Sequence, residues 1–138
     1  MMISSRLVFA AAFLTLPSLA QAQSCIADDF NDFIARFSHE ITVQEASTAD
    51  PITVTALDFG TTEPEPVMVA QEVPLAEVTW PVMPDLTGLD TSRRRAEVTI
   101  DGDSAEVLVA GLDNGENVTW SFRRAPCWTL TAITDSSM

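Results

Sequence analysis

The run RRAEVTIDGDSAEVLVAGLDNGENVTWSFRRAPCWTLTAITD, residues 94–135, decides the fold. Arg94–Asp101 and Ala105–Gly111 alternate apolar and polar residues and are separated by Gly102-Asp103. Asn114-Gly115, a type I′ hairpin signal, precedes Glu116–Arg124, and Ala125-Pro126 precedes Cys127–Thr134. The spacing predicts a four-stranded antiparallel meander. Val118, Trp120 and Phe122 fall on one face, and Asn117, Thr119 and Ser121 on the other. Trp128, Leu130 and Ala132 form a similar face on the last strand. A sheet with one apolar side needs a cover.

That cover lies upstream. Ile26, Phe30, Phe33, Ile34, Phe37 and Ile41 recur at spacings of three and four, the stripe of an amphipathic helix from Ile26 to about His39. Ser24 is its expected N-cap, and Asp28, Asp29 and Asp32 sit where the helix dipole favours anions. The expectation is an α+β fold, with an N-terminal amphipathic helix packed on an antiparallel sheet. Between the two, Ile52–Leu57 reads as a strand after Pro51, and Glu63-Pro-Glu-Pro66 as an acidic loop. Val67–Val73 and Leu75–Trp80 read as short strands, the second confined to an edge by Pro74. Pro81, Pro84 and Gly88 mark a turn-rich connection.

Further upstream, Arg6 precedes the apolar run Leu7–Leu16, then Pro17 and the small-x-small triplet Ala20-Gln21-Ala22. That order describes a secretory signal peptide over residues 1–22, whose apolar run of about ten residues is too short to span a bilayer. Residues 23–138 are then one secreted or periplasmic α+β domain. No second apolar stretch approaches spanning length, so no stable membrane anchor is expected after cleavage. The residues before Cys25 fit a lipidation site poorly, lacking a Leu-like residue three positions back. Both Cys, at positions 25 and 127, remain in the mature chain, and two thiols in an oxidising compartment predict a Cys25–Cys127 disulfide.

Composition excludes some partners. The 138 residues carry 7 basic groups, all Arg, against 20 Asp and Glu, for a net charge of −13. That balance disfavours nucleic acid and anionic membranes. Signal removal takes Arg6 and moves the charge to −14. Five of the six remaining Arg form two groups, Arg93–Arg95 and Arg123-Arg124, that would meet if the strands bring them together. Such a cluster suits a carboxylate or phosphate ligand, while ion pairing with the many acids is the simpler account and the favoured one.

The segment Asp29-Phe-Asn-Asp-Phe-Ile-Ala-Arg-Phe-Ser38, followed by Val43-Gln44, resembles the first helix of proteins in the nuclear transport factor 2-like (SnoaL-like) superfamily, in its secreted bacterial branch. Asn117–Arg124 and Trp128-Thr-Leu-Thr-Ala-Ile-Thr-Asp135 are similar to that superfamily's final hairpin, where a Trp-x-Leu-x-x-Ile strand closes a curved sheet over the long helix. The resemblance covers the terminal segments. It implies a cone-like α+β domain with a pocket between sheet and helices. Members usually carry further helical turns after the first helix, whereas here acidic, Pro-rich sequence begins by Asp50. Many members are non-catalytic, so the resemblance implies fold more than activity.

Enzymes on that fold often pair an Asp with a His or Tyr inside the cone. This chain has no Tyr, which excludes a Tyr oxyanion donor. Asp32 and His39, two helical turns apart, are the catalytic candidates. Phosphate-cradling Gly loops, nucleophile elbows and zinc motifs are absent from the sequence, so no metal or cofactor is expected. Asp101-Gly-Asp103 and Asp113-Asn-Gly-Glu116 offer oxygen ligands for calcium but fit hairpin turns as they stand. Asn117-Val-Thr119 matches a glycosylation sequon inside an expected strand.

Three readings of function follow. The first is a secreted or periplasmic non-catalytic domain that binds a small ligand or a partner protein. Phe33, Phe37 and Trp120 would wall its pocket, and Arg93, Arg95 and Arg123 would hold an anion. The second is a small lyase or isomerase using Asp32 and His39 in a cone pocket, which fails if His39 faces solvent. The third is an all-β inhibitor or adhesion module. Edge strands near Leu75 offer a homodimer contact.

Overall fold

The computed structural model describes residues 24–60 and 64–138, so the expected signal peptide lies outside the described residues. Two helices, α1 (Phe30–His39) and α2 (Ile41–Ala46), precede β1 (Thr48–Asp58) and β2 (Val67–Val73). A single 3-10 turn at Leu75–Glu77 follows, then β3 (Arg94–Asp101), β4 (Ser104–Gly111), β5 (Asn117–Arg124) and β6 (Trp128–Asp135). The fold is α+β, and the helices exclude the all-β alternative. Among the described residues no helix is long and apolar enough to cross a membrane.

The sheet is six-stranded, curved and unclosed, in the order β2-β1-β6-β5-β4-β3. The strands β3 to β6 form the expected antiparallel meander. Its continuation differs from the expected all-antiparallel sheet: β1 lies parallel to β6, pairing Val54 with Ile133 and Thr55 with Thr134. Antiparallel β2 then extends the sheet from β1. Pro51 falls inside β1 rather than before it, at the register irregularity between Thr48 and Thr53, where its missing N–H breaks no ladder.

Other local expectations shift for identifiable reasons. The helix starts at Phe30 rather than Ile26, because the Asp29 carboxylate, not Ser24, accepts from the N–H groups of Asn31 and Asp32 at 2.9 and 3.1 Å. It stops at Glu40, whose extended backbone ends α1 and begins α2. The break rotates Ile41 off the stripe and leaves it 46% exposed. Leu75–Trp80 is not a strand: Pro74 leads into the 3-10 turn instead. The β4–β5 connection is not a two-residue type I′ turn. Only Gly115 has positive φ there, and the Asn114 side chain accepts from Glu116 N–H.

Opposed residues of neighbouring strands share a face, and this places the core. Val107 stands between Val98 and Trp120, and Ala105 between Ile100 and Phe122. Phe30, Phe33 and Phe37 of α1 all pack on Phe122, with ring centroids 5.2 to 5.8 Å apart. The Pro-rich connection joins this core: Met83 is fully buried, and Val78, Val82, Leu86 and Leu89 pack against it. Cys25 and Cys127 form the expected disulfide, with a Cα separation of 5.3 Å. Such a bond marks a compartment outside the reducing cytoplasm.

Candidate functional site

The space between α1 and the sheet, where a cone pocket would open, is filled. Phe33, Phe37 and Trp120, expected as pocket walls, are buried with Phe122, Met83 and Leu130. The polar groups inside are committed to one another. Gln44, 1% exposed, accepts from Val82 N–H at 2.8 Å, while the Trp120 indole donates to Val82 C=O at 2.8 Å. Ser38 accepts from Leu86 N–H, and Thr48 donates to the Gln44 carbonyl. Among the described residues, no buried side-chain nitrogen or oxygen lacks a partner. A polar ligand entering here would have to displace a satisfied bond.

The best-formed opening lies at the disulfide end. It is a cleft of about 300 Å³ between the Ser24–Ala27 segment, Phe33, the end of α2 at Ala46 and Ser47, and the β5–β6 turn. Trp128 forms part of its wall, held by its indole N–H donating to the Asp28 carbonyl at 2.9 Å. Its lining from Ser24 to Thr129 contains no ionisable side chain apart from the bonded cysteines. The cleft therefore offers apolar contact and neutral hydrogen bonds, with no charged acid or base beside its Ser24, Ser47 and Thr129 hydroxyls.

The two catalytic candidates lie elsewhere. Asp32 is exposed on the first turn of α1. The His39 side chain is 66% exposed and turns to Asp85, Nδ1 to Oδ2 at 2.9 Å, rather than to Asp32. The other Asp85 oxygen accepts from the Thr87 hydroxyl and N–H at 2.7 and 3.0 Å. The bond to Asp85 raises the His39 pKa above its ordinary value. Asp85 is lowered to about 2, first by His39 and then by Thr87. This is a solvated hydrogen-bonded pair, ionic when His39 is protonated, that ties the helix end to the Pro-rich connection, and neither candidate enters a cavity.

The Arg groups do not meet. Arg94 opens β3 opposite Gly111, whereas Arg123 closes β5 opposite Ser104, so a full strand length separates them. Most are paired with acids: Arg93 with Asp90 at 3.8 Å, Arg94 with Glu116 at 3.0 Å, and Arg95 with Glu97 at 3.6 Å. Arg124 binds Asp103 at 2.9 Å, with its guanidinium 5.5 Å from the Trp128 ring centre. Arg123 is exposed on the sheet side away from the helices. Among the described residues no three His, Cys, Asp or Glu converge as a metal site requires.

The fold has a neighbour among solved structures. A crystal structure of an NTF2-like protein from Bacteroides fragilis superposes with a TM-score of 0.60 at 16% sequence identity. This chain has the NTF2-like fold. The match covers 84% of the chain and 50% of that protein, so the chain spans about half the length of its NTF2-like neighbour. No family model and no curated protein matches the sequence. The NTF2-like likeness is thus one of architecture: helices laid over a curved sheet, here with the intervening space packed.

What sequence reasoning missed is the buried role of Gln44 and of the connection from Val78 to Leu89. The available signal was a glutamine on the buried side of an otherwise amphipathic segment. Buried amides are rare without partners, so it implied a backbone group to satisfy.

Proposed function

We propose that this protein is a non-catalytic domain, secreted or periplasmic, that acts by binding a partner protein. The mature domain comprises residues 23–138 after removal of a signal peptide at residues 1–22. One observation carries the reading: the interior that would hold a small ligand is occupied by its own aromatic side chains, with every described buried side-chain nitrogen and oxygen partnered. The solvated Asp32 and His39 supply no converging acid and base, and Arg93, Arg95 and Arg123 serve surface charge. What remains accessible is sheet: both terminal strands, β2 and β3, carry exposed apolar residues, Val67 and Met68 on one and Val98 and Ile100 on the other.

The test is a photo-cross-linking amino acid placed in turn at Val69, Val98 and Pro126 in producing cells. Adducts of protein mass from Val69 or Val98 are expected. Adducts from neither edge would overturn the reading. A second reading, a small neutral ligand in the disulfide-end cleft, is favoured by that cleft's volume, at the lower limit of about 300 Å³ for ligand sites. A small molecule retained in native mass spectrometry, released by Phe33→Ala or Pro126→Asp, would establish it instead.

A further inference from the structure

We infer that the free edge of β3 pairs with β3 of a second copy of this chain, antiparallel and centred on Val98. The inference rests on the protein-binding reading and names its partner. It starts from the direction of the backbone groups. Leu112 N–H donates to the Arg93 carbonyl at 2.8 Å, just beyond the Arg94–Gly111 pair, so Arg93 lies in the hydrogen-bonding phase toward β4. Alternation then turns Arg95, Glu97, Thr99 and Asp101 toward β4 as well. Ala96, Val98 and Ile100 direct their N–H and C=O outward, along a strand that is exposed from Arg95 to Asp101. Among the described residues those groups form a ladder with one side unpaired.

Side chains select the partner and the register. Two antiparallel copies related by a twofold axis through Val98 set Ala96 against Ile100 and Val98 against Val98. These lie on the helix-facing side, where Val98 and Ile100 are 41% and 46% exposed. On the other side the same register sets Arg95 against Asp101 and Glu97 against Thr99. The dimer therefore gains two cross-strand ion pairs, Arg95 to the partner's Asp101 and the reverse. A shift of two residues one way opposes Glu97 to Glu97. The same shift the other way opposes Glu97 to Asp101. Like charges directly opposed are destabilising, so the Val98-centred register is favoured over both neighbouring registers. The other terminal strand, β2, carries Glu72 and no cation, and has no such code.

One strand pair buries less than the roughly 1,200 Å² of a stable interface, so the dimer is weak, with a dissociation constant between about 10 µM and 1 mM. Sedimentation of the mature disulfide-bonded chain up to about 1 mM measures it. Arg95→Asp and Asp101→Arg are each expected to weaken dimerisation about tenfold or more. The double variant, with the charges exchanged, is expected to restore it to within a few-fold of the original. All these positions are exposed, and circular dichroism checks the fold of each variant. A chain monomeric throughout, a dimer indifferent to the single variants, or no restoration in the double variant each overturns the inference. Cross-links from Val98 to other proteins, with the purified chain monomeric, would overturn it while leaving the protein-binding reading in place.

Discussion

Gln44 and Trp120 hold the same residue from two sides. The Gln44 amide oxygen accepts from Val82 N–H and the Trp120 indole donates to Val82 C=O, both at 2.8 Å. One residue comes from α2 and the other from β5, so a Pro-rich segment with no helical or strand ladder is fastened to both layers. Replacing Gln44 with Leu strands a backbone N–H and is expected to cost about 1–3 kcal/mol. Trp120→Phe removes the matching donor at a comparable cost. Because both act on Val82, the double variant should depart from additivity by about 0.5 kcal/mol or more in urea denaturation. Strict additivity would mean the two bonds are independent.

The Cys25–Cys127 bond closes a loop of sequence separation 102. Chain-entropy reasoning gives about 4.7 kcal/mol for a loop of 100 residues, and removal of native disulfides costs about 2–5 kcal/mol in practice. The Cys25→Ser/Cys127→Ser variant should lose an amount in that range, read from the shift of its urea midpoint. The Trp128 bond to Asp28 still spans the same junction, so the folded spectrum should persist. Equal midpoints for the two proteins would show the bond to be energetically idle.

The His39–Asp85 pair sets a pH dependence with a definite sign. Raising the His39 pKa makes its contribution complete below the ordinary value of 6.5 and lost as pH rises through the folded value. Lowering Asp85 to about 2 makes its contribution present above 3.8 and lost as pH falls toward 2. The pair therefore works between about pH 4 and 6.5, and weakly, because both side chains reach solvent. The chain has a single His, so one imidazole signal reports the titration by NMR. Asp85→Asn should bring its midpoint down toward about 6.5. An unmoved midpoint would dissociate the two groups.

Phe122 meets three phenyl rings of α1 and is fully buried, so Phe122→Ala should cost about 3–5 kcal/mol. Ile41→Ala, on the exposed start of α2, should change stability by less than about 0.5 kcal/mol. Thermal unfolding of the two variants separates the real core face from the longer stripe read in sequence. A large loss at Ile41 would mean the segment docks differently.

The meander strands were legible to within a residue at Arg94–Asp101 and Asn117–Arg124, because alternation between Gly-marked turns is local information. The Phe stripe was equally plain, since three-and-four spacing needs no partner to be recognised. The parallel pairing of β1 with β6 was not legible, because the choice of neighbour across the length of the chain leaves no periodic trace. The connection from Val78 to Leu89 reads as loop for the same reason: its apolar residues follow no period, and its prolines forbid a ladder. For the site, the Arg groups were visible as clusters, but their separation depended on strand direction. His39 was visible, while Asp85, 46 residues away, was not identifiable as its partner.

The place of β6 in the sheet orders the birth of the molecule. The strand that comes last in sequence, Trp128–Asp135, lies between β1 and β5, so it is the seam on which the two parts of the sheet join. As the chain is synthesised, β1 with β2 makes one hairpin and β3 to β5 make another small sheet, with nothing yet between them. Neither fragment has its inner neighbour, and the phenyl face of α1 waits for Leu130 and Trp128. Contacts of such long sequence separation are intrinsically slow to form. Until β6 is available, the β1–β2 pair and the β3–β5 strands therefore have no common strand on which to join.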